Sequence, residues 1–168
     1  KQYWLAMEMY NSILNSNSSY KDYAAFQKAV AYGFVDKNPT KIEELQKFIS
    51  NYKSSSLVDD AYYELGSTYA NSNQTSKAIE TFNQLLTNYP KSNLASKAIL
   101  RQGVVYINAN DEDKAIERFK KVVNDYPGSQ DAIEAVQNAR IAYLDTGRSN
   151  EFAAWVKGLD FVDISTAE

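Results

Sequence analysis

The densest acidic run in the chain, Asp111-Glu112-Asp113, follows Asn108 and Asn110 and has the residue types to hold calcium. A calcium loop also needs a glycine at its sharp turn and a bidentate glutamate at its end. The glycine is missing, and Phe119 stands where the glutamate should be. The run reads better as the cap and first turn of a helix over 112–126, where negative charge complements the helix dipole. Asp59-Asp60 and Glu43-Glu44 are adjacent carboxylates, and adjacent helical positions point in different directions, so neither is an acid–base pair. With no histidine and no cysteine, the chain has no imidazole base, thiol nucleophile, thiolate metal site or disulfide. No nucleophile elbow or phosphate-cradling glycine loop is present either. No catalytic residue, metal or cofactor is expected, and the chain is not read as an enzyme.

The elements that carry these residues follow from composition and periodicity. A chain of 168 residues, 44% hydrophobic and 23% charged, can bury one sizeable core. The net charge of −3, with lysines alternating with acids, lacks the basic stripe a nucleic-acid partner requires. No apolar run approaches the ~20 residues that cross a bilayer, so no direct membrane insertion is expected. Absent cysteine fits cytoplasm or periplasm equally. The chain opens on Lys1-Gln2-Tyr3 in mid-pattern, without a targeting signal, and is read as a piece of a longer protein.

Internal repetition sets the architecture. Asn88-Tyr89-Pro90 recurs as Asp125-Tyr126-Pro127, and Lys77-Ala78-Ile79-Glu80 as Lys114-Ala115-Ile116-Glu117, both 37 residues on. Ala61, Gly66 and Tyr69 map to Ala98, Gly103 and Tyr106 at the same spacing. Within a unit, Tyr62, Leu65 and Tyr69, then Ala78, Phe82 and Leu85, form two apolar helical stripes separated by the polar turn 71–75. The pattern predicts helices over 3–15, 20–35, 39–52, 57–72, 75–89, 93–109, 112–126, 130–146 and 149–158. Proline closes the second helix of a unit at Tyr89-Pro90, and Ser92 or Asn93 is expected to cap the next. These helices make one domain over 1–158: a half repeat in 1–19, then repeats from about 20, 57, 94 and 130. Residues 159–168 read as an extended tail or linker. Phe161 to Ser165 either fold back onto the helices, or onto a neighbouring molecule, or simply lead onward.

Tyr62, Leu65, Gly66, Tyr69, Ala78, Phe82, Leu85 and Pro90 match the tetratricopeptide-repeat (TPR) signature in order and spacing. Ile99, Gly103, Tyr106, Ala115, Phe119, Val122 and Pro127 match it again. The chain therefore resembles the TPR family. The resemblance implies an all-α fold: a right-handed α-solenoid of antiparallel helix pairs that binds protein and has no catalytic activity. The 37-residue period, against a standard 34, resembles TPR modules of bacterial envelope proteins, such as the Tol-Pal coordinator and the lipoprotein of the outer-membrane barrel assembly machinery. Two stretches, Asp22 to Gly33 and Lys157 to Glu168, resemble long TPR proteins of Bacteroidetes. A periplasmic or envelope location is expected on that basis alone. Lys28, Ala29, Arg140 and Phe152 depart from the signature, as flanking repeats do. Phe152 and Trp155 are expected to seal the last pair. Gly66 is expected against Ala78 and Gly103 against Ala115, with Phe82 and Phe119 filling the space toward the next unit.

The resemblance also implies a partner-binding concave groove along the first helix of each pair. Its positions are Tyr23, Phe26, Val30, Gly33 and Phe34; Asp60, Tyr63, Ser67, Ala70 and Asn71; Lys97, Leu100, Val104, Ile107 and Asn108; and Glu134, Gln137, Ile141, Leu144 and Asp145. Tyr63, Phe26, Phe34 and Leu100 are the expected anchors for an apolar or amphipathic segment. The alternative is that a tightly curved stack buries these residues against one another. A carboxylate clamp could draw only on Lys97, Asn71 and Asn108, and Asp60, Glu134 and Asp145 would oppose an acidic ligand. Asn17-Ser18-Ser19 and Asn73-Gln74-Thr75 fit the glycosylation triplet, as polar turns often do by chance. The leading expectation is a protein-interaction scaffold whose partner is a peptide or protein. The alternative is an architectural spacer or a self-associating segment.

Overall fold

A computed structural model describes residues 2–162. Among the described residues there are nine helices and no strand. They are α1 (Gln2–Asn15), α2 (Lys21–Gly33), α3 (Asn38–Asn51), α4 (Val58–Asn71), α5 (Thr75–Asn88), α6 (Ala95–Asn108), α7 (Glu112–Asp125), α8 (Gln130–Asp145) and α9 (Ser149–Val156). Every helix expected from the pattern is present, with ends within two residues of those expected. None is long and apolar enough to cross a membrane among the described residues.

The chain divides into two compact units, Lys1–Ser92 and Asn93–Glu168. In the first, α2 packs on α3 and α4 on α5, with α1 against α2 and α3 against α4. In the second, α6 packs on α7 and α8 on α9, while α8 also lies against both α6 and α7. Short turns join the two helices of each pair and make them antiparallel.

Those turns are copies of one another. Asp36, Asn73, Asn110 and Gly147, spaced 37 apart, have φ of 56°, 56°, 54° and 69°. Left-handed backbone is tolerated by Asn, Asp and Gly because a short polar side chain, or none, avoids the Cβ clash. In each turn the following amide donates five residues back, to a tyrosine carbonyl. Lys37 donates to Tyr32 (3.0 Å), Gln74 to Tyr69 (2.9 Å), Asp111 to Tyr106 (2.9 Å) and Arg148 to Tyr143 (2.7 Å). This is a Schellman closure. The same residue is the N-cap of the next helix, so one residue ends the first helix and starts the second.

The connections between pairs are built differently from expectation. The N-cap of α6 is Leu94, without a side-chain bond, so Ser92 is not the cap. The Ser92 hydroxyl donates instead to Asp59 Oδ2 at 2.7 Å, as Ser55 donates to Asp22 Oδ2 at 2.7 Å one repeat earlier. One repeat later, Ser96 stands in the aspartate's place and donates to Asp131. Ser129 in turn caps α8 by accepting from the Ala132 amide at 3.1 Å.

The core of the first unit gathers Ala24, Leu45, Phe48, Ala61, Phe82 and Leu85, each essentially without exposed surface. The second unit does the same with Ala98, Ala115, Phe119, Val122, Ala135 and Ala139. Gly66 makes its room for a ring: a Cβ there would sit 2.7 Å from Phe82 Cε1, and one on Gly103 would overlap the Phe119 ring still more closely. Phe82 and Phe119 therefore lie over the glycine of their own pair. Phe82 and Phe119 were expected to fill the space toward the next unit; their rings are instead what the missing side chains of Gly66 and Gly103 admit most closely.

Candidate functional site

The helix-A positions divide by burial. In the first unit, Phe26 is 8% exposed, its ring centroid 5.6 Å from that of Phe48, while Val30 and Gly33 are half-buried. Tyr23 and Phe34, on the same helix and its C-cap, are 50% and 83% exposed. Tyr63 is half-buried with its ring 5.9 Å from Phe82, Asn71 is exposed, and Ala70 is half-buried. In the second unit, Leu100 is 4% exposed, Val104 and Ile107 are half-buried, and Lys97 and Asn108 are exposed. Glu134, Gln137 and Asp145 are exposed, as are Ile141 and Leu144.

Two polar groups on α4 stand out. The Ser67 hydroxyl is buried and has no hydrogen-bond partner. Asp60 has its carboxyl pushed above the ordinary aspartate range, first by desolvation and then by repulsion from Asp59 and Glu64. Both are positions expected to lie on the face that meets a partner.

The acidic run is used internally. Asp111 caps α7 and pairs with Lys114 at 2.5 Å, and Asp113 pairs with Arg148 at 2.8 Å. The carboxyl of Asp111 is held below the usual range, first by that lysine. No cluster of three potential metal ligands occurs among the described residues. Glu43 and Glu44 both reach Lys47, at 2.7 and 3.0 Å, so the pair converges on a cation although its members are adjacent. Asp59 is occupied by Ser92.

Lys41 is a residue the pattern did not single out. It stands where Ala78 and Ala115 stand in later repeats. Its stem fills the space left by Gly33, with Cδ 3.1 Å from where a Cβ would be, and its ammonium pairs with Glu64 at 2.7 Å. The signal was available in the alignment as a lysine at a small-residue position.

At the end of the second unit, Phe152 and Trp155 form a cluster with Tyr143, with centroids 5.8 to 6.3 Å apart, and Lys120 lies over Tyr143 and Trp155. Residues 159–162 form a turn, with Phe161 and Val162 half-buried, and 163–168 lie outside the described residues. Phe161 approaches Gly128, whose φ of 71° marks a second kind of turn.

Residues 60–92 and 97–129 each match the tetratricopeptide-repeat family model. No curated protein sequence matches the chain. A crystal structure of MamA is similar at 24% identity, with a TM-score of 0.73 over 92% of this chain and 85% of that one. The nearly identical TPR-like repeats assigned to a Podosopora anserina kinesin light chain are similar at 14% identity and a TM-score of 0.74, over 98% and 86%. At these identities the likeness establishes the fold. The α4–α5 and α6–α7 segments thus match the tetratricopeptide-repeat model, within a chain of all-α, TPR-like α-solenoid fold.

Proposed function

We propose that this chain is a protein-interaction scaffold that holds a peptide or protein segment against the first helices of its repeats, within a larger protein of the bacterial envelope. The observation that carries the binding face is the exposure of Tyr23 on α2 and of its C-cap Phe34, 50% and 83%, while Phe26 on the same helix is buried. Contiguous apolar patches left in water on soluble folds usually mark an interaction site. The envelope setting is supported by the 37-residue period and its resemblance to envelope TPR modules.

The test is capture of proteins from the cell envelope by the purified chain, beside a Tyr23→Ser/Phe34→Ser variant. Both side chains are exposed, so the variant should fold. Specific capture lost in the variant supports the scaffold, and equal capture by both overturns this face. Fractionation of cells, with the protein in the soluble cytoplasmic fraction, would overturn the envelope setting.

A second reading, an architectural spacer without its own ligand, is favoured by the burial of Phe26 and Leu100, which gives two expected anchors to the core. Absence of capture by either protein would select it.

A further inference from the structure

In the first unit, α3, α4 and α5 enclose a groove of about 490 Å³, lined by Gln46, Tyr62, Leu65, Tyr69, Glu80 and Thr81 among others. None of these positions belongs to the partner groove expected along the first helices. The repeat shows what is missing here. In steps of 37 residues, Thr81 corresponds to Glu44, Arg118 and Trp155, and Tyr69 to Tyr32, Tyr106 and Tyr143. Trp155 lies against its tyrosine, with ring centroids 6.3 Å apart from Tyr143. The Tyr32 hydroxyl is pushed up first by desolvation and then by Glu44, which places that carboxylate nearby. Arg118 keeps 26% of its side chain accessible, with Nε buried. Thr81 is the short member. Its hydroxyl donates to the Lys77 carbonyl of its own helix at 2.7 Å, and the space over α4 stays open.

Charge says which kind of side chain is missing. Glu80 precedes Thr81, and its counterparts are Glu43, Glu117 and Ala154. Glu43 pairs with Lys47 at 2.7 Å, and Glu117 with Arg118 at 2.9 Å. Where tryptophan holds the Thr81 position, the acid gives way to alanine. On α5 the counterparts of Lys47 and Arg118 are Gln84 and Thr81, so the acid is kept and both cations are lost. Glu80 makes no ion pair among the described residues. Its charge reaches the groove: after desolvation, it is what pushes the Tyr69 hydroxyl up. Lys77 also lines the groove, with its ammonium 5.4 Å from the Tyr69 ring centroid and 3.0 Å from Gln74. Lys114 stands over Tyr106 in the same way in the pair that carries Arg118, so this lysine and an arginine coexist.

We propose that this groove binds an arginine side chain of a partner peptide, its guanidinium paired with Glu80 as Arg118 pairs with Glu117, and its stem laid over Tyr62, Leu65 and Tyr69. A planar guanidinium both forks onto a carboxylate and stacks on aromatic faces, which an ammonium does less well. The site goes beyond the scaffold reading above. It shares no residue with the Tyr23/Phe34 face, and either can fail without the other.

The probe is the tripeptide Ac-Ala-Arg-Ala amide, titrated into the 15N-labelled 168-residue chain and followed by NMR. Saturable shifts are expected at the amides around Glu80, with a Kd on the order of millimolar for a single anchoring side chain. Ac-Ala-Lys-Ala amide should bind about threefold more weakly or worse. Glu80→Gln, at an exposed position, should weaken the arginine peptide about threefold or more. Thr81→Arg, which gives α5 the arginine of the next repeat, should abolish binding, and circular dichroism checks that both variants fold. Absence of saturation at these amides overturns the proposal, as does undiminished binding to Glu80→Gln. Equal binding of the lysine peptide would mean simple charge attraction and overturns it too. So does tighter binding of Ac-Ala-Trp-Ala amide, which would make the occupant an uncharged ring.

Discussion

The ring of Phe82 occupies the space a side chain on Gly66 would need, its Cε1 2.7 Å from the Cβ position, and Phe119 stands in the same relation to Gly103. Ala29 and Leu45 hold the equivalent positions one repeat earlier, both fully buried, and Arg140 with Val156 one repeat later. Small faces large at the first three sites. At the fourth the first member is the larger and the second the smaller.

Gly66→Ala and Gly103→Ala should each destabilise by about 1–3 kcal/mol through overpacking, despite alanine's better helix propensity. Adding Phe119→Leu to Gly103→Ala should recover part of the loss, a coupling readable in a double-mutant cycle of urea unfolding. Additive losses would show that ring and glycine do not share this space.

Asp22 accepts from the Ser55 hydroxyl, which is the main cause holding its carboxyl below the ordinary 3.8. A carboxyl lowered by folding adds stability that is present above 3.8 and lost as pH falls through the folded value. Ser55→Ala should move the Asp22 titration, followed by NMR, up toward the ordinary value. The variant's stability deficit should be larger at neutral pH than at about pH 3. An unmoved titration would remove Ser55 as the cause.

The left-handed turn residue Asn110 predicts an ordering. Asn110→Gly should melt close to the parent protein, whereas Asn110→Val, branched at Cβ with φ near 54°, should cost about 1–2 kcal/mol. Equal melting of the two variants would mean that this turn does not constrain the repeat.

Lys41 and Glu64 form the least exposed of the ion pairs described, with 13% and 34% of their side chains accessible. Lys41→Met, which keeps the stem over Gly33, should cost less than about 1 kcal/mol, while Glu64→Ala, which strands the ammonium, should cost about 1–2 kcal/mol. Thermal melts at matched salt check the order, and the reverse order would show that stranding the Glu64 carboxylate costs more than stranding the Lys41 ammonium.

Proline is not what shapes the end of the second helix. Tyr52, followed by Lys53, caps α3 at φ −118°, ψ 45°, close to Tyr89 before Pro90 at −131°, 58° and Tyr126 before Pro127 at −134°, 53°. Pro90→Ala should therefore leave α5 ending at the same place and lower stability by no more than about 1 kcal/mol, through the unfolded chain. Lengthening of α5, seen in NMR secondary shifts, would restore proline to its usual role.

The sequence by itself determined the helices, their pairing and the turns. Period 37 with apolar stripes at helical spacing is a local property of the chain. Asp, Asn or Gly at the left-handed position is likewise chosen by each residue's own backbone sterics. It could not determine which helix-A side chains remain open to a partner. Phe26 and Phe34 are the same residue type at two groove positions, yet one is 8% and the other 83% exposed. That difference is made by Phe48 on the neighbouring helix, a contact between residues 22 apart in sequence. Ser92 likewise reads as a helix cap from its local context, but its hydroxyl is claimed by Asp59, 33 residues away. Side-chain exposure and hydrogen-bond choice are settled by competition among groups that only packing brings together, and for that reason they belong to the tertiary structure.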